Sequence, residues 1–194
     1  MKTADKVMVI VGFSVPKGVR LPWYSWIIRK VIKKPFSHVY VRWESRGADT
    51  HIAYHASGTK VHFLNGKKFR DTVRPVKEYR TFIPRGDYKK LIQVCMRQTG
   101  EDYGKTHAIS IGLSTLARNY LSKDIRNREK GWACSSLVAH IFGAVFNEDL
   151  EREPAQFDPG MIEDYCKADR DFIPHKENWE KYDSEVKDYG RNTY

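Results

Sequence analysis

The spacing of apolar positions changes period about halfway along the chain. Residues 6–13 carry Val7, Val9, Ile10, Val11 and Phe13 in a β-branched run, then Ser14-Val15-Pro16-Lys17-Gly18. That pattern predicts a buried strand followed by a turn. Over 21–32, Trp23, Trp26, Ile27, Ile28, Val31 and Ile32 recur at helical spacing behind Pro22, and Lys33-Lys34-Pro35 ends the predicted helix. Strand-like runs follow at 37–43, 50–57, 60–63 and 73–83, the first two joined by the polar loop 44–49 with its Gly47. After Pro84-Arg85-Gly86 the helical period takes over. Asp87 reads as the N-cap of a helix over 88–98 with Leu91, Ile92 and Cys95 on one face. A break at 100–104 precedes a helix at 107–121 and a charged connector at 124–131. From Cys134 onward Leu137, Val138, Ile141, Phe142, Val145 and Phe146 form one broad apolar face, and 159–167 reads as a last short helix. Strands first and helices second predict an α+β domain over 1–167. Residues 168–194, mostly charged with scattered Phe172, Trp179 and Tyr182, form a tail, either loose or draped over the core.

Composition supports a packed core, with 41% hydrophobic and 13% aromatic residues. Lys and Arg number 34 against 24 Asp and Glu, a net charge of +10. Such a surface attracts polyanions: nucleic acid, an anionic membrane, or a bacterial envelope. It equally fits a basic surface with no dedicated partner. The three cysteines are widely spaced and form no CxxC, which argues against a disulfide scaffold and a four-cysteine zinc site and fits a reducing compartment. The apolar run 7–13 is short for a signal segment and has no small-x-small cleavage site. No stretch approaches the roughly 18 apolar residues of a spanning helix. A cytoplasmic or phage-associated protein is the resulting expectation. Oligomeric state is not indicated.

Chemistry concentrates at Cys134. In Gly131-Trp132-Ala133-Cys134-Ser135-Ser136 the thiol stands at or within one residue of a helix start. Unpaired N–H groups and the helix dipole there are expected to lower its pKa and to help bind an oxyanion, with Ser135 beside it as a substrate-binding candidate. A small buried hydrophobe is the plainer role for a lone cysteine, and it is the role expected of Cys95 and Cys166, which fall on apolar helix faces. A thiol nucleophile needs a base and an orienting group. Among seven histidines, His38 opens one strand and His55 nearly closes the next. Hairpin pairing of the two strands would bring the imidazoles together.

Ser37-His38-Val39-Tyr40-Val41 and Tyr54-His55-Ala56-Ser57-Gly58 resemble the paired catalytic strands of NlpC-type papain-like cysteine peptidases. The cysteine helix follows both histidines, the order of the circularly permuted branch that includes YiiX-like proteins and lecithin retinol acyltransferase relatives. Cys134-Ser135-Ser136-Leu137-Val138 is similar to that branch's nucleophile helix. Asp102-Tyr103-Gly104 and Phe157-Asp158-Pro159 are similar to its flanking segments. The resemblance covers roughly residues 6–166. It implies a permuted papain-like fold, with a small antiparallel sheet or half-barrel packed on helices. It also implies a Cys134–His38–His55 triad acting on amide bonds, with bacterial cell-wall peptides as the substrate class. Tyr103 and Tyr40 become candidates for lining the substrate site. Tyr40 departs from the family by replacing a small glycine. The loop between the strands is also longer, so His51 and Glu44 stay open as alternatives for the third member.

Other chemistries lack a pattern. His62, His107, His140 and His175 form no HExxH or Cys/His cluster, so no metal is expected; no Gly-rich phosphate loop or GxSxG turn exists, so no cofactor is expected either. His140 shares the Cys134 helix but lies well round it. The Trp-rich helix at 21–32, flanked by Arg29, Lys30, Lys33 and Lys34, suits either a membrane surface or a cover for the strand layer. Two rivals to an amide hydrolase follow. One is an acyltransferase or lipid thioesterase using the same triad at a membrane. The other is a non-enzymatic nucleic-acid-binding module resting on charge alone, for which no recognition motif is present.

Overall fold

The computed structural model describes residues 6–17, 23–45, 50–58, 60–104, 115, 132–146, 150 and 152–176. The elements are β1 (Lys6–Pro16), α1 (Trp23–Ile32), β2 (His38–Ser45), β3 (Thr50–Ser57), β4 (Lys60–Asn65), α2 (Gly66–Thr72), β5 (Val73–Pro84), α3 (Arg85–Gln98), α4 (Cys134–Val145), α5 (Pro159–Ala168) and β6 (Ile173–His175). The six strands form one antiparallel open sheet in the order β4-β3-β2-β1-β5-β6. The α+β class follows the change of period in the sequence.

Strand parity divides the sheet into two unlike faces. Val9, Val11 and Phe13 of β1 lie opposite Trp43, Val41 and Val39 of β2, and Tyr54 and Ala56 of β3 continue that face. It packs against Leu137, Val138, Ile141, Phe142 and Val145 of α4, all buried. Burying each such side chain contributes roughly 1.5–3 kcal/mol, so this layer is the main source of stability. α3 joins the same layer through Leu91 and Cys95, and the Tyr54 hydroxyl donates to the Cys95 carbonyl at 2.8 Å. The opposite face carries Ile10, Gly12, Tyr40, Arg42, Ala53 and His55, and α2 lies over part of it through Phe69. α2 links β4 to β5, which stand four strand spacings apart, about 19 Å in a flat sheet. Seven helical residues span only about 10 Å. α2 touches β3, β4 and β5.

Several boundaries differ from expectation. β1 continues through the predicted turn to Pro16, because β5 pairs with it as far as Val73. Pro16, at the strand end, gives up no needed ladder bond. α3 starts at Arg85, with Asp87 in its first turn instead of at the cap. β4 runs on to Asn65, whose side chain caps the unexpected α2 by accepting from the Lys68 amide at 2.9 Å. Phe172 is buried and β6 pairs with the edge of β5, so the chain beyond 168 is attached to the domain at least to His175. The expected connector 124–131 and residues 177–194 lie outside the described residues, as does the expected helix 107–121 except for Thr115, which is helical.

Candidate active site

α4 begins at the thiol itself. Ala133 is the N-cap, Cys134 the first helical residue and Ser135 the second. Ser136 holds the start in place: its hydroxyl accepts from the Ala133 amide and donates to the Ala133 carbonyl, both at 3.0 Å. Cys134 is 6% exposed and Ser135 buried. The backbone amides of Val39, Cys134 and Ser135 all favour the thiolate, as helix-start placement anticipates. Burial outweighs them and pushes the thiol up to about 11. The expectation of a lowered pKa is thus reversed for the resting protein, because the low-dielectric surroundings come from tertiary packing that no local pattern reveals.

His38 and His55 are brought together as the hairpin predicts. His38 Nε2 and His55 Nδ1 are 2.9 Å apart, with the rings nearly perpendicular at 73°. Ser57 Oγ lies 3.4 Å from His55 Nε2. Gly58, at φ 68°, turns β3 into β4 and sets His62 opposite His55, ring centroids 4.7 Å apart. Phe69 closes over His55 from α2 at 5.1 Å. Burial pulls His38 down to about 4, with the neighbouring His62 adding to the shift. Burial first, then His38 and His62, hold His55 well below the usual histidine range. A protonated imidazole in this pair would be a desolvated charge beside other basic rings.

The thiol meets β2 at the Val39 amide, one residue after His38; among the described residues no hydrogen bond joins Cys134 Sγ to His38. Parity explains the gap. Val39 faces α4, and His38 lies with Tyr40 and Arg42 on the other side of the strand. The ring nitrogen left over by the His38–His55 bond is Nδ1, on the backbone side of the imidazole.

The remaining candidates separate clearly. Tyr103 forms a bridge with Trp132 and packs on Ala133, immediately before the thiol. Tyr40, expected to line the substrate site, is instead fully buried beneath α2. Its hydroxyl donates to Glu78 Oε1 at 2.6 Å, and its ring lies against Phe69 at 4.5 Å. It occupies the space over Gly12, where a Cβ would overlap the tyrosine ring. The small residue that the resemblance places at position 40 is supplied one strand away, at position 12. His51 belongs to another cluster. Arg42 donates to Glu78 through Nε and Nη2, each at 2.8 Å, and through Nη1 to His51 Nδ1 at 3.2 Å. Glu44 is exposed opposite His51. Of the three candidates for the third member, His55 is the one whose hydrogen bond to His38 is seen among the described residues. Cys95 and Cys166 are buried in surroundings that raise their pKa, and the His140 ring lies tilted against Trp132, centroids 5.1 Å apart. Sequence reasoning missed Ser57 and His62 as neighbours of His55; the Gly58 turn was the signal that pairs them.

No family model matches the chain, and no curated protein matches it. A solved structure does: the metalloprotein yiiX from Escherichia coli O157:H7, DUF1105, with a TM-score of 0.50 and 14% identity, over 90% of this chain and 98% of that one. The chain has a YiiX-like fold. At that identity the likeness is one of fold alone. Among the described residues, no three His, Cys, Asp or Glu side chains are grouped to hold a metal.

Proposed function

We propose that the chain is a permuted papain-like cysteine hydrolase of amide bonds, with Cys134 as nucleophile, His38 as base and His55 as orienting group. The observation that carries the reading is the bonded His38–His55 pair lying beside a strand amide that contacts a thiol at a helix start. The resting site is neutral. Substrate binding therefore triggers the chemistry: His38 Nδ1 takes the proton from Sγ as sulfur attacks the carbonyl carbon. His38 opens β2, so in the complex its Nδ1 has to come round the strand end to the sulfur, where contacts that are long in the free protein tighten. The two charges form together and attract each other, which offsets part of the desolvation each would suffer alone. The amides of Cys134 and Ser135 are the natural donors to the tetrahedral oxyanion. His38 then protonates the leaving amine as the C–N bond breaks, and afterwards deprotonates the water that hydrolyses the thioester. For His38 to accept at Nδ1 its proton sits on Nε2 and is donated to His55 Nδ1. His55 then carries its proton on Nε2, facing Ser57 Oγ. Peptides of the bacterial cell wall remain the proposed substrate class.

Trapping tests this directly. An N-acyl amino acid p-nitrophenyl ester should leave a thioester adduct that peptide mapping locates at Cys134. Turnover of muropeptides should vanish in Cys134→Ala and fall at least about a hundredfold in His38→Gln. Undiminished turnover by a folded Cys134→Ala protein would end the proposal. A second reading, acyl transfer from a lipid donor or lipid thioester hydrolysis by the same triad, gains support from the exposed aromatic helix described next.

A further inference from the structure

α1 has two unlike sides. Ser25 and Ile32 are buried and Ile28 packs on the core, so the helix does cover part of the strand layer. Its other side faces water with Trp26 at 56% and Ile27 at 38% exposure. Lys30 lies over the Trp26 indole, 5.8 Å from the ring centroid, and Lys33 is exposed just past the helix end. The helix has no acidic residue, and among the described residues no carboxylate pairs with Lys30 or Lys33. Lys34 behaves differently, being held inward by Glu163 at 2.6 Å and Asp164 at 2.7 Å. An indole and a branched alkyl side chain bordered by cations match the headgroup region of an anionic bilayer, which takes apolar groups and cations side by side. The net charge of +10 acts in the same sense.

The helix is also fixed to the candidate active site. Ser25 Oγ and Ser37 Oγ are 2.6 Å apart and buried, and Ser37 immediately precedes His38. A surface that engages α1 therefore lies close to the start of β2.

We infer that the outward side of α1 docks the protein on an anionic lipid bilayer, with Trp26 and Ile27 at headgroup depth and Lys30 and Lys33 against lipid phosphates. The docked protein holds the His38 end of β2 near the membrane surface. This is independent of which bond the site cleaves. It is measured on the full chain carrying Cys134→Ala, so that loss of hydrolysis and loss of docking are read separately.

Vesicles of one part phosphatidylglycerol to three parts phosphatidylcholine, and of phosphatidylcholine alone, serve as probes in flotation. Brominated lipids report tryptophan depth by quenching. The expected result is binding to the anionic vesicles only, with quenching that disappears in Trp26→Ser. Trp26→Ser/Ile27→Ser and Lys30→Glu/Lys33→Glu should each weaken binding at least about tenfold, since each surface charge contributes appreciably to affinity. Lys67→Glu/Lys68→Glu, an equal charge change on α2 over the other sheet face, should leave binding within about twofold. Matching melting curves are expected for all variants, because every side chain that differs between them is exposed, and they keep the comparison free of unfolding. Three results overturn the inference: no anionic binding; equal loss from the α1 and α2 charge reversals, which indicates bulk charge only; or tighter, α1-dependent binding to duplex DNA, which assigns the face to nucleic acid.

Discussion

Titrating the Cys134 thiol in the intact chain separates a resting thiolate–imidazolium pair from the neutral pair described above. The perturbation is pH, from 6 to 11.5, applied to wild type and to His38→Gln. Burial moves the thiol from 9.0 to about 11. Two pH units correspond to about 3 kcal/mol in favour of the neutral thiol. At pH 7 the thiolate is then about one part in ten thousand, against about one in a hundred for an unperturbed cysteine. His38, pulled down to about 4, is uncharged over the whole range and lends the thiolate no stabilisation. The assay is iodoacetamide labelling with peptide-resolved mass spectrometry, read as the pH midpoint of the Cys134 rate, which cancels steric access. The midpoint should lie near 11, and His38→Gln should move it by less than about one unit. A midpoint below 8 that rises by two units or more in His38→Gln would refute the neutral pair. It would mean that the helix-start amides and His38 together overcome burial.

The histidine pair has its own pH signature. His38 and His55 have folded pKa values below their unfolded value, so their contribution to stability is complete above pH 6.5 and lost as pH falls toward 4. Chemical denaturation should register a decline of about 3 kcal/mol from His38 alone, absent in His38→Gln; a flat profile across that window would contradict it. Glu163 is 3% exposed; burial pushes its carboxyl up, but Lys34, Lys77 and Lys167 together outweigh burial and hold it down to about 2. Its stabilising effect is present above pH 4.5 and lost below. Glu163→Gln should therefore cost about 3 kcal/mol at pH 7 and almost nothing near pH 2, and an equal cost at both would reject the ion cluster as the cause. Gly12→Ala should destabilise by at least about 2 kcal/mol through overlap with the Tyr40 ring. A double-mutant cycle with Tyr40→Gly should recover most of that loss, and simple additivity would show that the overlap is not responsible.

What the sequence revealed and concealed follows the range of the interactions. The start of α4 was readable because its apolar face is continuous from Leu137 to Val145 and its serines lie at the first turn. The His38–His55 contact was readable because one short polar loop separates the strands that carry it. α2 was not, since its seven residues include a single apolar side chain, Phe69, and its only local sign is the Asn65 cap. Tyr40 misled because its position is set by Gly12 and by Glu78, 38 residues away. The direction of the Cys134 shift was hidden for the same reason. Local geometry names the donors around the sulfur, and only the folded chain says how much water is missing.

The Arg42–Glu78 pair bears on where the histidine points. It reaches across β1 from β2 to β5, fully buried, and sets a guanidinium four residues from His38 on the same side of the strand. A slip of β2 by one position would turn that guanidinium into the apolar layer under α4, without its carboxylate, at a cost no neighbouring contact could offset. Because alternate residues share a side, the same slip would carry His38 away from His55. Arg42 thus acts as a key cut for one alignment only, and an imidazole four residues away is aimed by it.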